Sequence, residues 1–262
     1  MREASKRWTA TDTDSYAFLV YNLFIANEGT TAATKNMAFA KGRTCMMTEV
    51  DSLKETIEKM IRFTEDKFEA STVSLKAEIF DLEHDSSLSA EEIRTSAQVY
   101  YDELDNISRQ KIQSRNKLVI CIYSICEAIL ANICDYYKIP IEHEKATRSK
   151  SDYYLTDYLF SIGVDYKTPG SESYIVYHAI RDFRNKLTHS GLKSKDPKKI
   201  FDGLVKTGIN HITLRAGEIE IEHAECLYQI LNICCGMLKT ADEIAQRKKM
   251  ATKLPTDQTK AK

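Results

Sequence analysis

A chain of 262 residues with 43% hydrophobic content holds enough apolar material for one large domain or two small ones, which excludes wholesale disorder. Nine glycines and four prolines are too few to punctuate a many-stranded barrel or sandwich, so the expected fold class is mainly α. A net charge of −1 excludes a molecule that grips nucleic acid over its whole surface, and any basic patch must be local.

Met1 to Arg7 lead into polar residues rather than an apolar leader core, so the chain is expected in the cytoplasm. Asp12-Thr13-Asp14 opens a helix over 14–28 that carries Tyr16, Phe18, Leu19, Leu23 and Phe24. Over 44–84, Val50, Leu53, Ile57, Met60, Ile61, Phe68, Leu75, Ile79 and Leu82 recur mostly three, four or seven residues apart. That spacing lays an apolar stripe along one helix. The stripe serves either as a coiled-coil or partner-docking arm, or as a helix packed in the chain's own bundle.

Ser86 to Ser89 break the pattern, and Ser89 with Glu92 reads as a capping box for the next helix. Its second half, Leu118 to Leu130, is apolar nearly all round, which places it in the middle of a bundle. The longest apolar stretch, Leu118 to Ile133, is interrupted by Glu127 and Asn132 and reads as too short and too polar to span a bilayer. A polar loop from Glu142 leads to a helix at 152–162, and Pro169-Gly170 precedes another at about 172–187. Alternating residues on both sides of Arg215-Ala216-Gly217 predict a β-hairpin, and 223–248 a last helix. Division into an N-terminal helical extension (1–88), a helical domain (89–250) and a polar tail (251–262) follows. The seven cysteines, odd in number and without a C-x-x-C spacing, read as reduced thiols in apolar helices.

Chemistry concentrates in Arg184-Asn185-Lys186-Leu187-Thr188-His189, at the end of the 172–187 helix. Metal-free RNA cleavage needs a proton acceptor for the 2′-hydroxyl, a donor for the leaving 5′-oxygen and a cation for the developing phosphorane charge. Histidine serves the first two near neutral pH, and arginine the third with a permanent charge and a planar donor fork. Asn185 supplies a polar group to fix geometry. At about 100° per residue, His189 and Asn185 lie about 40° apart, whereas Arg184 lies about 140° from His189. One straight helix therefore does not let Arg184 and His189 hold one phosphate, unless the helix ends near Leu187 or a second subunit contributes.

Arg184 and His189 equally read as a basic pair at a helix C-terminus, favoured by the macrodipole. His178 and Arg181 point roughly the same way as His189, as cleft residues or as ordinary surface groups. Glu127 either orients Arg184 or Arg181, or pairs with another base of the bundle. From Arg181 to Lys206, eight bases oppose three acids for a local charge of +5. Lys186, Lys193 and Lys195 in this stretch are candidate RNA contacts, or simply solvated lysines. His84, His143, His211 and His223 have no partner at ligand spacing, so neither a metal nor another cofactor is expected.

The R-N-x-x-x-H segment, preceded by an apolar helix with one acid (Tyr123 to Ala128) and followed by a hairpin and a closing helix, resembles HEPN domains. The resemblance covers about residues 90–248. Such domains occur in toxin–antitoxin toxins, abortive-infection nucleases and RNA-targeting CRISPR effectors. The resemblance implies a HEPN-like helical bundle and a metal-independent endoribonuclease acting as a homodimer, with two motifs forming one composite cleft. It assigns Arg184, Asn185 and His189 to catalysis, with Glu127, Arg181 and His178 as candidate supporting residues. RNA is the implied substrate, and an antitoxin or sensor protein a candidate partner. Gly191 stands where one toxin branch has a tyrosine two positions after the histidine, so nucleotide transfer onto that tyrosine is not expected here. The alternative is a non-catalytic HEPN module that binds RNA or a partner protein.

Overall fold

The computed structural model describes residues 45–143, 154–188 and 196–251. The expected helix at 14–28 and the tail from 252 onward lie outside the described residues. The chain divides into two units, Met1–Glu49 and Val50–Lys262, and the architecture below is that of the second.

Helix α1 (Cys45–Glu83) turns back through a short link into α2 (Ala90–Tyr137). The stripe read from the sequence is the face α1 buries, through Val50, Ile57, Met60, Ile61, Phe68 and Ile79. Packing within the bundle accounts for these residues. A sequence-drawn boundary at residue 88 falls in the link, whereas contacts gather everything from Val50 onward into one unit. The capping box forms as expected: the Ser89 hydroxyl accepts the Glu92 N–H, and Glu92 Oε2 accepts the Ser89 N–H at 2.8 Å. At the other end Lys138 takes a left-handed conformation, φ 58°, whose N–H returns to Asp135 and Cys134 carbonyls.

Helix α2 runs without a break. Its buried residues crowd into the half from Ser114 to Cys134, with Ala97 and Ile107 alone before it. That half packs on α3 (Leu155–Ile162), on α5 (Arg181–Thr188) and most extensively on α7 (Ala224–Ala251). By length and mean hydropathy α2 could cross a membrane, contrary to the sequence expectation; 56% of the apolar window is nevertheless buried inside the protein.

The helix expected at 172–187 is present with an interruption. Glu172–Ile175 (α4) passes into a π-helical turn, Val176–Ile180, before α5 begins. Helix α6 (Pro197–Lys206) stands where the sequence showed mainly a lysine-rich basic stretch. Asp196 caps it, Pro197 occupies its first turn, and Ile200 and Leu204 anchor it in the core. The hairpin pairs β1 (Ile212–Arg215) with β2 (Glu218–Ile221), Ile212 facing Ile221. Ala216 and Gly217 both have positive φ, 49° and 81°, the geometry of a tight hairpin turn that matches strand twist. The six cysteines from Cys121 to Cys235 are free thiols, five of them buried.

One buried guanidinium joins three elements. Arg115 of α2 is 5% exposed. Its Nε and Nη2 donate to Glu65 of α1 at 2.7 and 2.6 Å. Its Nη1 donates to the carbonyls of Ile221, at 2.9 Å, and Glu222. Lys111 adds a second cation to Glu65 at 3.0 Å. Burial pushes the Glu65 carboxyl up, but the Arg115 and Lys111 hydrogen bonds outweigh it and hold it below its ordinary 4.5. A depressed carboxylate stabilises the fold above its unfolded value and loses that stabilisation as pH falls through the folded one.

Glu65→Ala strands the buried Arg115 charge and is expected to lower unfolding free energy by about 3 kcal/mol in urea titrations. Its stability loss on acidification below about pH 4.5 is expected to be shallower than that of the wild type. A wild-type acid slope in the variant would show that the pair carries no linkage.

Candidate active site

The end of α5 lies against the apolar half of α2, which fixes what faces the Arg184 motif. Arg184 is half-buried, and its guanidinium stands 5.4 Å from the centroid of the Tyr123 ring. Tyr123 is 2% exposed, so it forms a floor rather than a solvated neighbour. Arg184 Nη1 donates to Asn185 Oδ1 at 3.0 Å, and its buried Nε has no hydrogen-bond partner among the described residues. Thr188 Oγ1 donates back to the Arg184 carbonyl, one turn earlier, at 3.1 Å.

Glu127, one turn beyond Tyr123 on α2, faces the same arginine. Burial raises its carboxyl above the ordinary value, opposed by the Arg184 charge and by the Leu155 N–H at the start of α3. The same burial pushes the Tyr123 hydroxyl up strongly, with Glu127 adding to the effect and Arg181 and Arg184 opposing it. Of the bases considered for Glu127, Arg184 is the one whose charge bears on its carboxyl.

Arg181 belongs to the same face, three residues before Arg184. Its guanidinium lies 4.2 Å from the Tyr177 ring and donates to its neighbour Asp182 at 2.6 and 3.1 Å. Burial works to lower its pKa, but the Asp182 hydrogen bond and charge win and keep it firmly cationic. His178 sits within the π-turn, its ring 4.3 Å from Tyr174 and 4.5 Å from Tyr177. It stands one turn back from Arg181, amid aromatic rings. π-turns inside helices concentrate at functional sites because they offset one stretch of a helix face from the next.

The structure thus brings together Arg184, Asn185, Arg181 and Glu127, with His178 at the far end of the row. Lys186 is half-buried on α5. His189, Lys193 and Lys195 lie outside the described residues. Tyr123 and Tyr177, the rings beneath the two arginines, were not singled out from sequence. The signal for Tyr123 was its position four before Glu127, on one helix face. Among the described residues, no group of three or more His, Cys, Asp or Glu side chains could hold a metal ion. No family model matches the chain, nor does any curated protein or solved structure.

A carboxyl raised by burial, unlike Glu65, costs stability as pH rises through its folded value and the charge must form. Arg184→Ala removes the cation that opposes this shift. The Glu127 carboxyl is therefore expected to titrate at a higher pH in that variant, read by carbon NMR of the side chain. An unchanged Glu127 titration would mean the two groups do not interact.

Proposed function

We propose that the chain is a metal-independent endoribonuclease of HEPN type that works as a homodimer in the cytoplasm. The observation that carries this reading is the state of Arg184. It is a permanently charged fork on a buried aromatic floor, beside Asn185, with a buried donor that has no partner among the described residues. A cation held in this way is preorganised for an anion, because the cost of desolvating and orienting it has been met by folding.

In the proposed reaction His189 takes the 2′-hydroxyl proton or returns a proton to the leaving 5′-oxygen. The 2′-oxygen bonds to phosphorus, the bond from phosphorus to the 5′-oxygen breaks, and a 2′,3′-cyclic phosphate and a 5′-hydroxyl result. Arg184 stabilises the charge developing on the phosphorane, and Asn185 orients it. Glu127 fixes Arg184, while Arg181 and His178 extend the row along the substrate. Lys186, Lys193 and Lys195 contribute phosphate contacts that weaken with salt. The two-fold copy supplies the second motif of a composite cleft, and an antitoxin or sensor protein governs when it acts.

A second reading has its own support. Arg184 Nη1 is already engaged by Asn185, and Asp182 holds Arg181, an arrangement that suits a module which binds RNA or a partner protein without cutting.

Arg184→Ala and His189→Ala are each expected to lower cleavage at least about 10²-fold with little change in melting temperature. Cleavage is expected to persist in excess EDTA and to leave cyclic phosphate ends. RNA binding without cleavage by the wild type establishes the second reading. Activity that vanishes on chelation and returns with Mg²⁺ overturns the mechanism, and a strict monomer that still cuts overturns the composite cleft.

A further inference from the structure

The part of the α1–α2 hairpin remote from the bundle is built unlike the rest. Between Thr64 and Arg109 only Phe68, Ile79, Ala97 and Ile107 are buried, which is the minimum seam two helices need to stay paired. Five of the nine large hydrophobic side chains exposed among the described residues nevertheless fall between Phe63 and Tyr101. Three share one side. Val73 and Phe80, 57% and 59% exposed, are seven residues apart and so stand one above the other on α1. Tyr101 of α2, 46% exposed, donates its hydroxyl to Glu83 at 3.1 Å, which sets it beside the same end of α1. The Phe80 ring stacks on His84 at 4.1 Å.

Charge decides what such a row can receive. Between Asp66 and Asp105, eleven acids oppose Lys67, Lys76 and Arg94, a net of −8 in a chain of −1. A second arm of the same chain brings another −8 and is repelled. RNA is repelled for the same reason. We propose that this arm docks a cationic amphipathic helix belonging to another protein, whose apolar side covers Val73, Phe80 and Tyr101 while its Lys and Arg meet the surrounding carboxylates. Lys76 lies between Val73 and Phe80 on α1, so an acidic residue at one point of the partner helix adds selectivity.

The full chain is titrated with two synthetic leucine–lysine peptides of about 20 residues, equal in composition. One is patterned as an amphipathic helix and the other scrambled to have no apolar side. The amphipathic peptide is expected to bind at least about tenfold more tightly than the scrambled one. That advantage is expected to disappear in Phe80→Ser, and independently in Tyr101→Ser, with helical content unchanged by circular dichroism. Equal binding of the two peptides, or full binding by both variants, overturns the proposal. So does a dimer that Phe80→Ser dissociates in light scattering, because the occupant is then a second copy. Nuclease activity plays no part in any of these outcomes.

Discussion

A guanidinium buried between two long helices and a hairpin must be compensated or the fold loses more than it gains. Arg115 places four of its five N–H donors on one carboxylate and two backbone carbonyls, all from stretches of chain other than its own. That requirement sets the register of α1 against α2, because only one sliding position puts Glu65 beside Arg115. It also fixes where the chain leaves β2, since the carbonyls of Ile221 and Glu222 must point inward. The start of α7 follows directly from that exit, and α7 is the helix on which the apolar half of α2 packs most extensively. The positions of Tyr123 and Glu127, two to three turns further along α2, are consequences of the same register.

Glu65 and Glu127 both face arginines inside this bundle, and they are treated oppositely. Glu65 receives three hydrogen bonds from two cations and is held ionised. Glu127 has one backbone N–H and a less intimate arginine, so burial dominates and its charge is disfavoured. The first arrangement is what a structural ion pair needs. The second leaves both partners short: an acid reluctant to ionise faces a cation with a donor unpartnered among the described residues. Incomplete compensation of this kind supports the proposed site, because groups with disfavoured charges gather at functional clefts more often than elsewhere.

Much of this architecture could be read from local sequence, wherever the cause was local. The Ser89–Glu92 box, the Ala216-Gly217 turn and the apolar stripe of α1 each arise from residues within a few positions of one another. Helix α6 escaped because its lysines dominate the segment, although Asp196-Pro197 followed by Ile200 and Leu204 carries a start signal and a core-facing pair. The π-turn has no comparable signal, since the extra residue per turn is set by what α4 and α5 pack against. Arg115 carries no local signal, because its importance lies wholly in contacts fifty and more positions away. The motif around Arg184 was visible because its residue types are unusual together; the aromatic floor beneath it was not, because only tertiary packing joins Tyr123 to Arg184.

Net charge illustrates how a sum conceals an arrangement. The value of −1 combines an arm carrying −8 with a segment from Arg181 to Lys206 carrying +5. Helix α1 alone, at 39 residues, is roughly 60 Å long, whereas charges in physiological salt are screened over about 8 Å. The two regions therefore act as separate electrostatic objects rather than cancelling. A polyanion approaching the arm is repelled, and a polycation is attracted. The near-neutral total therefore hides a long acidic surface on α1 and α2 that acts locally, whatever bases the chain carries elsewhere.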